Sequence, residues 1–468
     1  MNSSGVLFGT SGVSGLVSAL SPDLCFAYTL AFLQVMSAKS GSRVAIAMDL
    51  RPSSPDIAAA CAAAAQYIGL EVDFCGALPT PALAYYAQVQ KIPGIMVTGS
   101  HIPFDRNGIK FYGMHGEITK VDEAAIINAV VAMPNQLPAL TLPEINLVAG
   151  QLYIDRYLNF FPKQCLAGLQ LGFYEHSSVA RDLLSQLLEA LGAEVVSLGR
   201  TDIFVPIDTE AVSQVDVEQA KRWSAEIGFD AILSTDGDAD RPLIGDEQGR
   251  WFRGDIVGTL CAQYLGAQAV ATPLSCNTAV ELCGAFSHVA RTRIGSPYVI
   301  EAMEQMLSSG LLNVVGFEAN GGFLLGSSID KHGKLLSPLM TRDAVLPILA
   351  LLAMAKEKGC ALSQLLANLP ARFTGSDRLQ SFPIEMSQQL LQSLSASMEA
   401  ISALLVTLGA KPIHIDQTDG IRIYLDNGEI VHYRSSGNAP ELRCYAEANS
   451  QERANWLAWE CLRLIWVQ

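Results

Sequence analysis

The stretch Ala231-Ile-Leu-Ser-Thr-Asp-Gly-Asp-Ala-Asp-Arg241 joins a short apolar segment to a loop with three alternating aspartates. Residues 231–235 are typical of a buried β-strand, and ligands of open α/β sheets bind outside the carboxyl ends of such strands. Because alternate residues of an extended segment point the same way, the aspartate side chains would crowd into one volume. Crowded carboxylates repel one another unless a cation lies between them, and Mg²⁺ prefers oxygen ligands of this kind. Asp236, Asp238 and Asp240 are therefore the predicted metal ligands.

Two alternatives apply to this loop. An EF-hand calcium loop would place Glu247 at its twelfth position, but its sixth position requires glycine and here holds Arg241. That alternative is rejected, whereas a solvated acidic turn stays open. If the loop binds a metal, Arg241 is a cation beside it that could grip a transferring phosphoryl group.

Short strands rich in β-branched residues alternate with helices rich in alanine and leucine through most of the chain. Residues 43–48, 94–98 and 312–315 are predicted strands, and residues 54–68 are a predicted helix. This alternation predicts α/β units with mostly parallel sheets.

The pattern changes near residue 375. Residues 421–433 form a predicted hairpin around Asp426-Asn-Gly428, and a strand and a helix are predicted at 442–447 and 452–465. The last part of the chain therefore predicts a small α+β domain.

The predicted strand at 94–98 also runs into a polar segment, which continues to Lys110. Ser100, His101 and Lys110 could supply a nucleophile, a proton carrier and a phosphate clamp. Taken alone, a serine-stabilised turn with a surface histidine explains this segment equally well.

Two further loops could bind a sugar phosphate. Glu318 and Asn320, in the glycine-rich loop 318–322, could hydrogen-bond sugar hydroxyls, although such turns are common. The segment 434–438 offers a guanidinium, two hydroxyls and an amide, and its glycine allows the backbone to approach a phosphate closely. It could therefore bind a phosphate, and the alternative is a polar turn. Three α/β domains that each present one polar loop would share one cleft.

Composition limits the class of protein. The chain has 468 residues, enough for several domains, and 31 lysines and arginines against 46 aspartates and glutamates give a net charge of −15. Binding to nucleic acid is not expected, although a small site could be basic enough for an anionic substrate.

The apolar stretch 345–355 is too short to cross a membrane. The ten scattered cysteines include no C-x-x-C pair and predict buried thiols in a reducing compartment, so we expect a cytoplasmic protein that does not bind membranes.

Five segments, in this order, resemble motifs of the α-D-phosphohexomutases, and within them of the bacterial phosphomannomutases. They are Phe8-Gly-Thr-Ser-Gly-Val13, Thr98-Gly-Ser-His-Ile-Pro103, Asp236-Gly-Asp-Ala-Asp-Arg241, Glu318-Ala-Asn-Gly-Gly322 and Arg434-Ser-Ser-Gly-Asn-Ala-Pro440. The resemblance covers essentially the whole chain and implies an α/β fold: three related α/β domains with mixed, mostly parallel sheets and a C-terminal α+β domain around a central cleft. The implied domains are residues 1–140, 141–250, 251–372 and 373–468.

The resemblance implies an enzyme that interconverts hexose 6-phosphate and hexose 1-phosphate, with mannose as the hexose, through phosphoserine and a hexose 1,6-bisphosphate. Ser100 would carry the phosphoryl group, and its phosphate would join the three aspartates as a ligand of Mg²⁺. His101, Lys110 and Arg241 would be catalytic, with Lys110 as the proton carrier. The implied substrate-binding residues are Glu318, Asn320, Arg434, Ser436, Gly437 and Asn438. A hexose 1,6-bisphosphate would act as activator, and we expect a monomer or a homodimer.

Three residues depart from the family pattern. Ser14 replaces an arginine, Gly322 replaces a histidine and Ser435 replaces a proline. The first two changes remove cationic or acid–base groups, so other cations would have to substitute for them. The candidates are Arg106, Lys110 and Arg293. The alternatives to a phosphomannomutase are a mutase for glucose or glucosamine phosphate and a protein that binds sugar phosphates without activity.

Overall fold

The computed structural model describes residues 5–9, 12–114, 116–331, 333–435 and 440–466. Within this part of the chain, four larger sheets follow one another in sequence order, and helices pack against them.

The first sheet lies within residues 7–117. Its strands are β1 (Leu7–Phe8), β2 (Gly12–Leu16), β3 (Arg43–Met48), β4 (Glu71–Ala77), β5 (Gly94–Val97), β6 (Arg106–Gly113) and β7 (Gly116–Glu117). The helices around it are α1 (Pro22–Val35), α2 (Ser54–Tyr67), α3 (Thr80–Gln90) and α4 (Lys120–Asn128). β3 pairs in parallel with β4 and β5, and β5 pairs antiparallel with β6. β3 and β5 are almost entirely buried, as expected of parallel strands with helices on both faces.

The second sheet lies within residues 170–245. The elements of this part are α5 (Val148–Phe160), β8 (Gln170–Tyr174), α6 (Arg181–Ala190), β9 (Glu194–Leu198), α7 (Gln214–Ile227), β10 (Ala231–Thr235) and β11 (Pro242–Gly245). β8 pairs in parallel with β9 and β10, and β10 pairs antiparallel with β11.

The third sheet lies within residues 269–343. The elements of this part are α8 (Gly254–Tyr264), β12 (Ala269–Pro273), α9 (Ala279–Leu282), β13 (His288–Thr292), α10 (Ser296–Ser308), β14 (Val314–Phe317), β15 (Phe323–Leu325), β16 (Ile329–Lys331), β17 (Lys334–Leu336), β18 (Leu339–Asp343) and α11 (Val345–Lys358). β12 pairs in parallel with β13 and β14, β14 pairs antiparallel with β15, and β18 is the next strand beyond β15.

The fourth sheet lies within residues 373–448 and is entirely antiparallel. The elements of this part are β19 (Phe373–Gln380), α12 (Ile384–Ser395), α13 (Met398–Leu404), β20 (Pro412–Asp416), β21 (Ile421–Leu425), β22 (Ile430–Ser435), β23 (Glu441–Ala448) and α14 (Gln451–Trp466). β21 and β22 form the predicted hairpin, and α14 covers the sheet after β23. With this α+β part, the predicted fold class is confirmed.

The first three sheets contain the same four-strand unit. In each unit one strand (β3, β8 or β12) pairs in parallel with the next two strands of the chain. The second of those (β5, β10 or β14) then turns back into an antiparallel strand (β6, β11 or β15). The predicted site segments 98–105, 236–241 and 318–322 are the three connections at which the chain turns back. They therefore occupy equivalent positions in three related units.

The start of β14 differs from the sequence prediction. We expected the strand at residues 312–315, but it begins at Val314. Asn313 has a φ of +50°, which belongs to the left-handed region and not to a strand, so the turn after α10 extends through it.

One hydrophobic core extends through the first three units. It includes Leu83 of α3, Tyr153 of α5, Leu187 of α6, Leu260 of α8 and Leu349 of α11. Separate cores lie on the other side of the first sheet and in the C-terminal part. The shared core fixes how the three units sit against one another and so brings their loops together. The exact limits of the four domains stay a prediction.

The apolar stretch 345–355 lies inside α11, whose residues are buried in the shared core. In the described part of the chain, no helix has the length and apolar character needed to cross a membrane. All ten cysteines are free thiols, and seven of them are buried.

Asp343, the last residue of β18, connects the second unit to the third. Its carboxylate accepts hydrogen bonds from the hydroxyls of Tyr153, at 2.7 Å, and Tyr157 on α5. It also accepts a hydrogen bond of 2.8 Å from the backbone N–H of Val345 at the start of α11. One buried carboxylate therefore holds a helix of each unit.

We expect Tyr153→Phe to lower the free energy of unfolding by about 1–2 kcal/mol, because the buried carboxylate of Asp343 loses a hydrogen bond. Tyr67→Phe is the control, since Tyr67 is half-exposed and surface substitutions usually change stability by less than about 0.5 kcal/mol. Differential scanning calorimetry of the three proteins measures the effect. Equal melting temperatures for Tyr153→Phe and the wild type would contradict the connecting role of Asp343.

Candidate active site

Ser100 lies in the connection between β5 and β6. Its φ of +51° places it in the left-handed region, which residues other than glycine rarely adopt. The hydroxyl of Thr98 accepts a hydrogen bond of 2.8 Å from the backbone N–H of Ser100 and donates one of 2.8 Å to Asp49. The tight turn delivers the Ser100 hydroxyl to the loop 236–241, called the metal loop below for its predicted role, where it donates to Asp236 at 2.6 Å.

Arg51 holds this turn in place. Its guanidinium is buried and donates hydrogen bonds of 2.5–3.0 Å to four carbonyl oxygens of residues 100–106. It also pairs with Asp49 at 3.1 Å and lies over the ring of Phe204. A Cβ at Gly99 would lie 2.6 Å from the guanidinium carbon, so this close approach requires glycine.

Asp236, Asp238 and Asp240 converge as predicted. All three are buried, and one carboxylate oxygen from each lies within 4.8 Å of the others. The physical reason differs from the expected one, because the loop is not extended. Ala239 has a φ of +56°, and Oδ1 of Asp236 accepts backbone N–H bonds of 3.2 Å from Asp240 and Arg241. A tight turn, rather than the alternation of a strand, brings the carboxylates together.

The hydrogen bonds of Asp238 and Asp240 occupy only one oxygen of each carboxylate. Oδ2 of Asp238 accepts from Thr80 and from Lys110, both at 2.6 Å. Oδ2 of Asp240 accepts from Lys110 at 2.8 Å and from Nε of Arg342 at 3.1 Å, and Nη2 of Arg342 lies 2.9 Å from it. Oδ1 of both aspartates is buried and has no hydrogen-bond partner among the described residues, although Nε of Arg241 lies 3.5 Å from Oδ1 of Asp240. Because a buried polar atom without a partner is costly, this arrangement fits a cation such as Mg²⁺.

The three carboxylates differ electrostatically. Burial and repulsion from Asp238 and Asp240 raise the pKa of Asp236 well above its usual value. Burial also acts to raise the pKa of Asp240, but the cations Arg342, Lys110 and Arg241 hold that pKa below its usual range. Asp240 therefore has three cations around it, whereas among the described residues Asp236 has Arg241 alone as an ion-pair partner, at 3.8 Å, against the repulsion of two carboxylates.

Lys110 and His101 are both held by charged neighbours. Burial acts to lower the pKa of Lys110, but Asp238 and Asp240 outweigh it and raise the pKa above its usual value. The Arg241 guanidinium, helped by burial, lowers the pKa of His101 to about 4, so the ring is neutral near pH 7. Arg241 donates to Nδ1 of His101 at 2.9 Å, which places the proton of the neutral ring on Nε2.

Arg342 of β18 joins the metal loop to the glycine-rich loop 318–322, called the sugar loop below for its predicted role. Besides its contacts with Asp240, its Nη1 donates to Glu318 at 3.1 Å. In the sugar loop, the side-chain oxygen of Asn320 accepts a bond of 2.9 Å from the N–H of Gly322. The guanidinium of Arg342 therefore bridges Glu318 and the predicted metal ligand Asp240.

Arg434 lies near the end of β22, in the C-terminal part. It donates to Asp419 at 2.9 Å, and Asp419 also accepts a bond of 2.9 Å from the backbone N–H of Ile294 in the third unit. The arginine is therefore positioned where the C-terminal part meets the third unit. The predicted site residues outside the described part of the chain are Ser436, Gly437 and Asn438. Thr10 and Ser11 of the first motif also lie outside it.

The three cations proposed as substitutes for the missing family residues differ in where they lie. Lys110 lies in the site, as described above. Arg106 is exposed, and Arg293 donates to the carbonyl of Thr418 at 3.1 Å. Arg342, which was not among the candidates, lies against Gly322.

Four residues that shape the site were not predicted from the sequence: Asp49, Arg51, Thr80 and Arg342. A signal was present for the first two, because they follow directly after the predicted strand 43–48, at a carboxyl end where ligands bind. A weaker signal was the polar triplet Thr341-Arg-Asp343 in front of the apolar stretch 345–355. Thr80 carried no signal, because its role depends on a contact with a residue 158 positions away.

Known proteins share this architecture. Models of the phosphoglucomutase/phosphomannomutase family match residues 5–136 (alpha/beta/alpha domain I), 253–373 (alpha/beta/alpha domain III) and 385–463 (C-terminal domain). A phosphomannomutase from Salmonella muenchen is 51% identical over 97% of this chain and 94% of its own length. A phosphomannomutase from Sinorhizobium fredii (strain NBRC 101917 / NGR234) is 44% identical over 98% of this chain and 99% of its own length.

A solved structure supports the fold. A phosphoglucomutase/phosphomannomutase family protein from Burkholderia thailandensis superimposes with a TM-score of 0.74, covers 98% of this chain and 96% of its own, and is 19% identical. The chain belongs to the phosphoglucomutase/phosphomannomutase family. The prediction of the family and that of an enzyme of the phosphohexomutase type are confirmed, and the roles of individual residues stay predictions.

We expect Asp238→Asn to weaken Mg²⁺ binding by at least about tenfold and to lower kcat by about a hundredfold or more, the scale of losing a strong electrostatic stabiliser. Isothermal titration with Mg²⁺ measures the first effect without relying on activity. Asp246→Asn is the matched control, because Asp246 is also buried but lies outside the three-aspartate cluster. Superimposable Mg²⁺ titrations for Asp238→Asn and the wild type would exclude Asp238 as a metal ligand.

Proposed function

We propose that this chain interconverts mannose 6-phosphate and mannose 1-phosphate, with Ser100 as the phosphoryl carrier. The observation that carries the proposal is the hydrogen bond of 2.6 Å from the Ser100 hydroxyl to Asp236, inside a cluster of three buried aspartates. A serine held beside a metal-binding loop can exchange a phosphoryl group under the charge stabilisation that this transfer needs. The two phosphomannomutases with 51% and 44% identity support mannose as the sugar.

The reaction has two transfers. In the first, the bond between the Ser100 oxygen and phosphorus breaks and the phosphorus bonds to the free hydroxyl of the bound hexose monophosphate. That hydroxyl gives up its proton and the Ser100 oxygen takes one up, so no proton is gained or lost overall. The product is a hexose 1,6-bisphosphate with Ser100 free. The bisphosphate then turns over in the site, and its other phosphoryl group returns to Ser100. A supplied hexose 1,6-bisphosphate would therefore act as an activator that phosphorylates Ser100.

The residues around Ser100 supply charge and orientation for these transfers. Asp236, Asp238 and Asp240 would hold Mg²⁺, which supplies Lewis-acid stabilisation of phosphoryl charge when bound. Lys110 and Arg241 place further positive charge beside the transferring group. As proton carrier, Lys110 would have to release a proton that two carboxylates stabilise, so this role requires their charge to be neutralised first.

Glu318 and Arg434 would bind the parts of the substrate that do not react. Glu318 could accept hydrogen bonds from sugar hydroxyls on the metal side of the site, close to Arg342. Arg434 could hold the phosphate that is not being transferred, since its guanidinium is only partly buried and stands where the C-terminal part meets the third unit. Water must be kept from phosphorylated Ser100, and movement of the C-terminal part over the substrate would achieve this.

The test is a coupled mutase assay on mannose 1-phosphate, glucose 1-phosphate and glucosamine 1-phosphate, with the matching hexose 1,6-bisphosphate present. We expect the highest kcat/KM with mannose 1-phosphate. A preference for another hexose would retain the chemistry and reject mannose. No turnover of any hexose phosphate, together with retained binding, would identify a binding protein without activity.

We expect Ser100→Ala to abolish turnover and the incorporation of phosphate from a hexose 1,6-bisphosphate, because the substitution removes the hydroxyl that donates to the Asp236 carboxylate. Ser387→Ala is the control, since Ser387 is also buried but lies on α12, far along the chain in the C-terminal part. Peptide mapping by mass spectrometry locates the phosphate. Full turnover in Ser100→Ala would exclude Ser100 as the phosphoryl carrier.

We expect Arg434→Ala to raise KM about tenfold to a hundredfold, because a guanidinium–phosphate pair contributes about 1.5–3 kcal/mol and each 1.4 kcal/mol is a factor of ten. Phosphorylation of Ser100 by a bisphosphate should persist, since the serine and metal loops are untouched. Arg463→Ala, which changes an exposed arginine on α14, is the control. An unchanged KM for every hexose phosphate would mean that Arg434 binds no phosphate.

A further inference from the structure

Arg342 is held rigidly by its neighbours on β18. The Thr341 hydroxyl donates to Glu117 of the first sheet at 2.9 Å, and Asp343 accepts from Tyr153 of α5 at 2.7 Å. Because side chains alternate along a strand, Arg342 faces the opposite side from these two residues. The backbone is therefore fixed on both sides of Arg342, and its buried guanidinium, only 4% exposed, has little freedom to move.

The guanidinium uses its fork shape to contact two loops at once. Nε donates to Oδ2 of Asp240, Nη2 lies 2.9 Å from the same oxygen, and Nη1 donates to Oε2 of Glu318. Asp240 is consequently oriented with Oδ2 towards Arg342 and Lys110, and its Oδ1 accepts no hydrogen bond from the described residues. A lysine carries its donors on one nitrogen, so it would not reproduce the contacts that separate nitrogens of the planar fork make with carboxylates of two loops.

Gly322 makes room for this arginine. Its φ lies outside the left-handed region, so the backbone itself does not require glycine there. A Cβ at Gly322 would lie 2.6 Å from Cδ and 2.7 Å from Cγ of Arg342, closer than real carbon atoms approach. The glycine is therefore explained by the side chain of Arg342 and not by a turn.

We propose that Arg342 is a positioning residue that fixes Asp240 of the metal loop relative to Glu318 of the sugar loop, and that Gly322 is required because Arg342 occupies the space beside it. The inference rests on the proposed function, in which Glu318 contacts the sugar. Arg342 acts through these two carboxylates. Its guanidinium orients Asp240, a metal ligand, and also Glu318, which orients the sugar.

Loss of this fork should affect both kinetic constants. We expect Arg342→Met to raise KM and lower kcat, with a combined loss of about tenfold to a hundredfold or more in kcat/KM, because charge-assisted hydrogen bonds to both carboxylates are lost. Arg342→Lys keeps the positive charge, on a single donor nitrogen, and should recover part of this loss. Arg156→Met is the control: Arg156 is a buried arginine that bonds to Ser337 at 2.7–2.8 Å, outside the site. It should lower the melting temperature and leave KM and kcat unchanged.

A double-mutant cycle tests the relation between Gly322 and Arg342. Gly322→Ala should reduce kcat/KM by about tenfold when Arg342 is present, because the added methyl group displaces the guanidinium, and by less than about threefold in the Arg342→Ala background. The same cycle is measured by isothermal titration with Mg²⁺ alone. There Gly322→Ala should shift the dissociation constant by at least about threefold only when Arg342 is present.

The outcomes separate this inference from the proposed function. If the wild type turns over no hexose phosphate, the proposed function fails, and the Mg²⁺ cycle still decides whether Gly322 and Arg342 are coupled. If the wild type is active but Arg342→Met keeps its KM and kcat, or the effects of the Gly322 and Arg342 substitutions simply multiply, the inference alone is overturned. A fall in melting temperature equal to that of Arg156→Met, without a change in KM, would reduce Arg342 to a structural arginine.

Discussion

The site depends on the repulsion among three buried carboxylates in one small volume. Asp236, Asp238 and Asp240 can share that volume only because cations lie around them, and those cations come from separate elements. Lys110 comes from β6, Arg241 from the metal loop itself and Arg342 from β18. Lys110 and Arg342 bind the Oδ2 atoms of Asp238 and Asp240, and the Oδ1 atoms of these two aspartates keep no hydrogen-bond partner among the described residues. The same contacts thus balance the charge of the carboxylates and leave the Oδ1 atoms available as ligands.

This arrangement requires the three α/β units to be held in fixed positions. The units repeat one strand order, and each turns back at the same point, so each offers one loop at an equivalent place. The continuous core that includes α3, α5, α8 and α11 sets the distances between these loops. Residues that cross between units, such as Thr80, Lys110 and Arg342, then connect loops from all three. The favourable free energy of apolar burial in the core therefore offsets the repulsion between the carboxylates that the fold brings together at the site.

Much of the site could be predicted from sequence because its signals are local. The apolar runs ending at Val97, Thr235 and Phe317 each lead directly into a polar loop, and carboxyl ends of strands are where ligands bind. The alternating aspartates could be recognised as a metal loop, although the turn at Ala239 rather than an extended backbone brings them together. Arg51 and Arg342 could not be assigned in the same way. Each looks like an ordinary charged residue until the loop that it contacts is known.

The amino-acid sequence by itself determined the order of strands and helices, the change to an α+β pattern near residue 375, and which loops carry polar groups. These properties follow from apolar periodicity and turn residues, which act over a few positions. Only the tertiary structure decided which cations serve which carboxylates. Asp240 is neutralised by Lys110 and by Arg342, which are 130 and 102 residues away along the chain. Electrostatic interactions depend on distance in space, and that distance is set by a core to which all three units contribute.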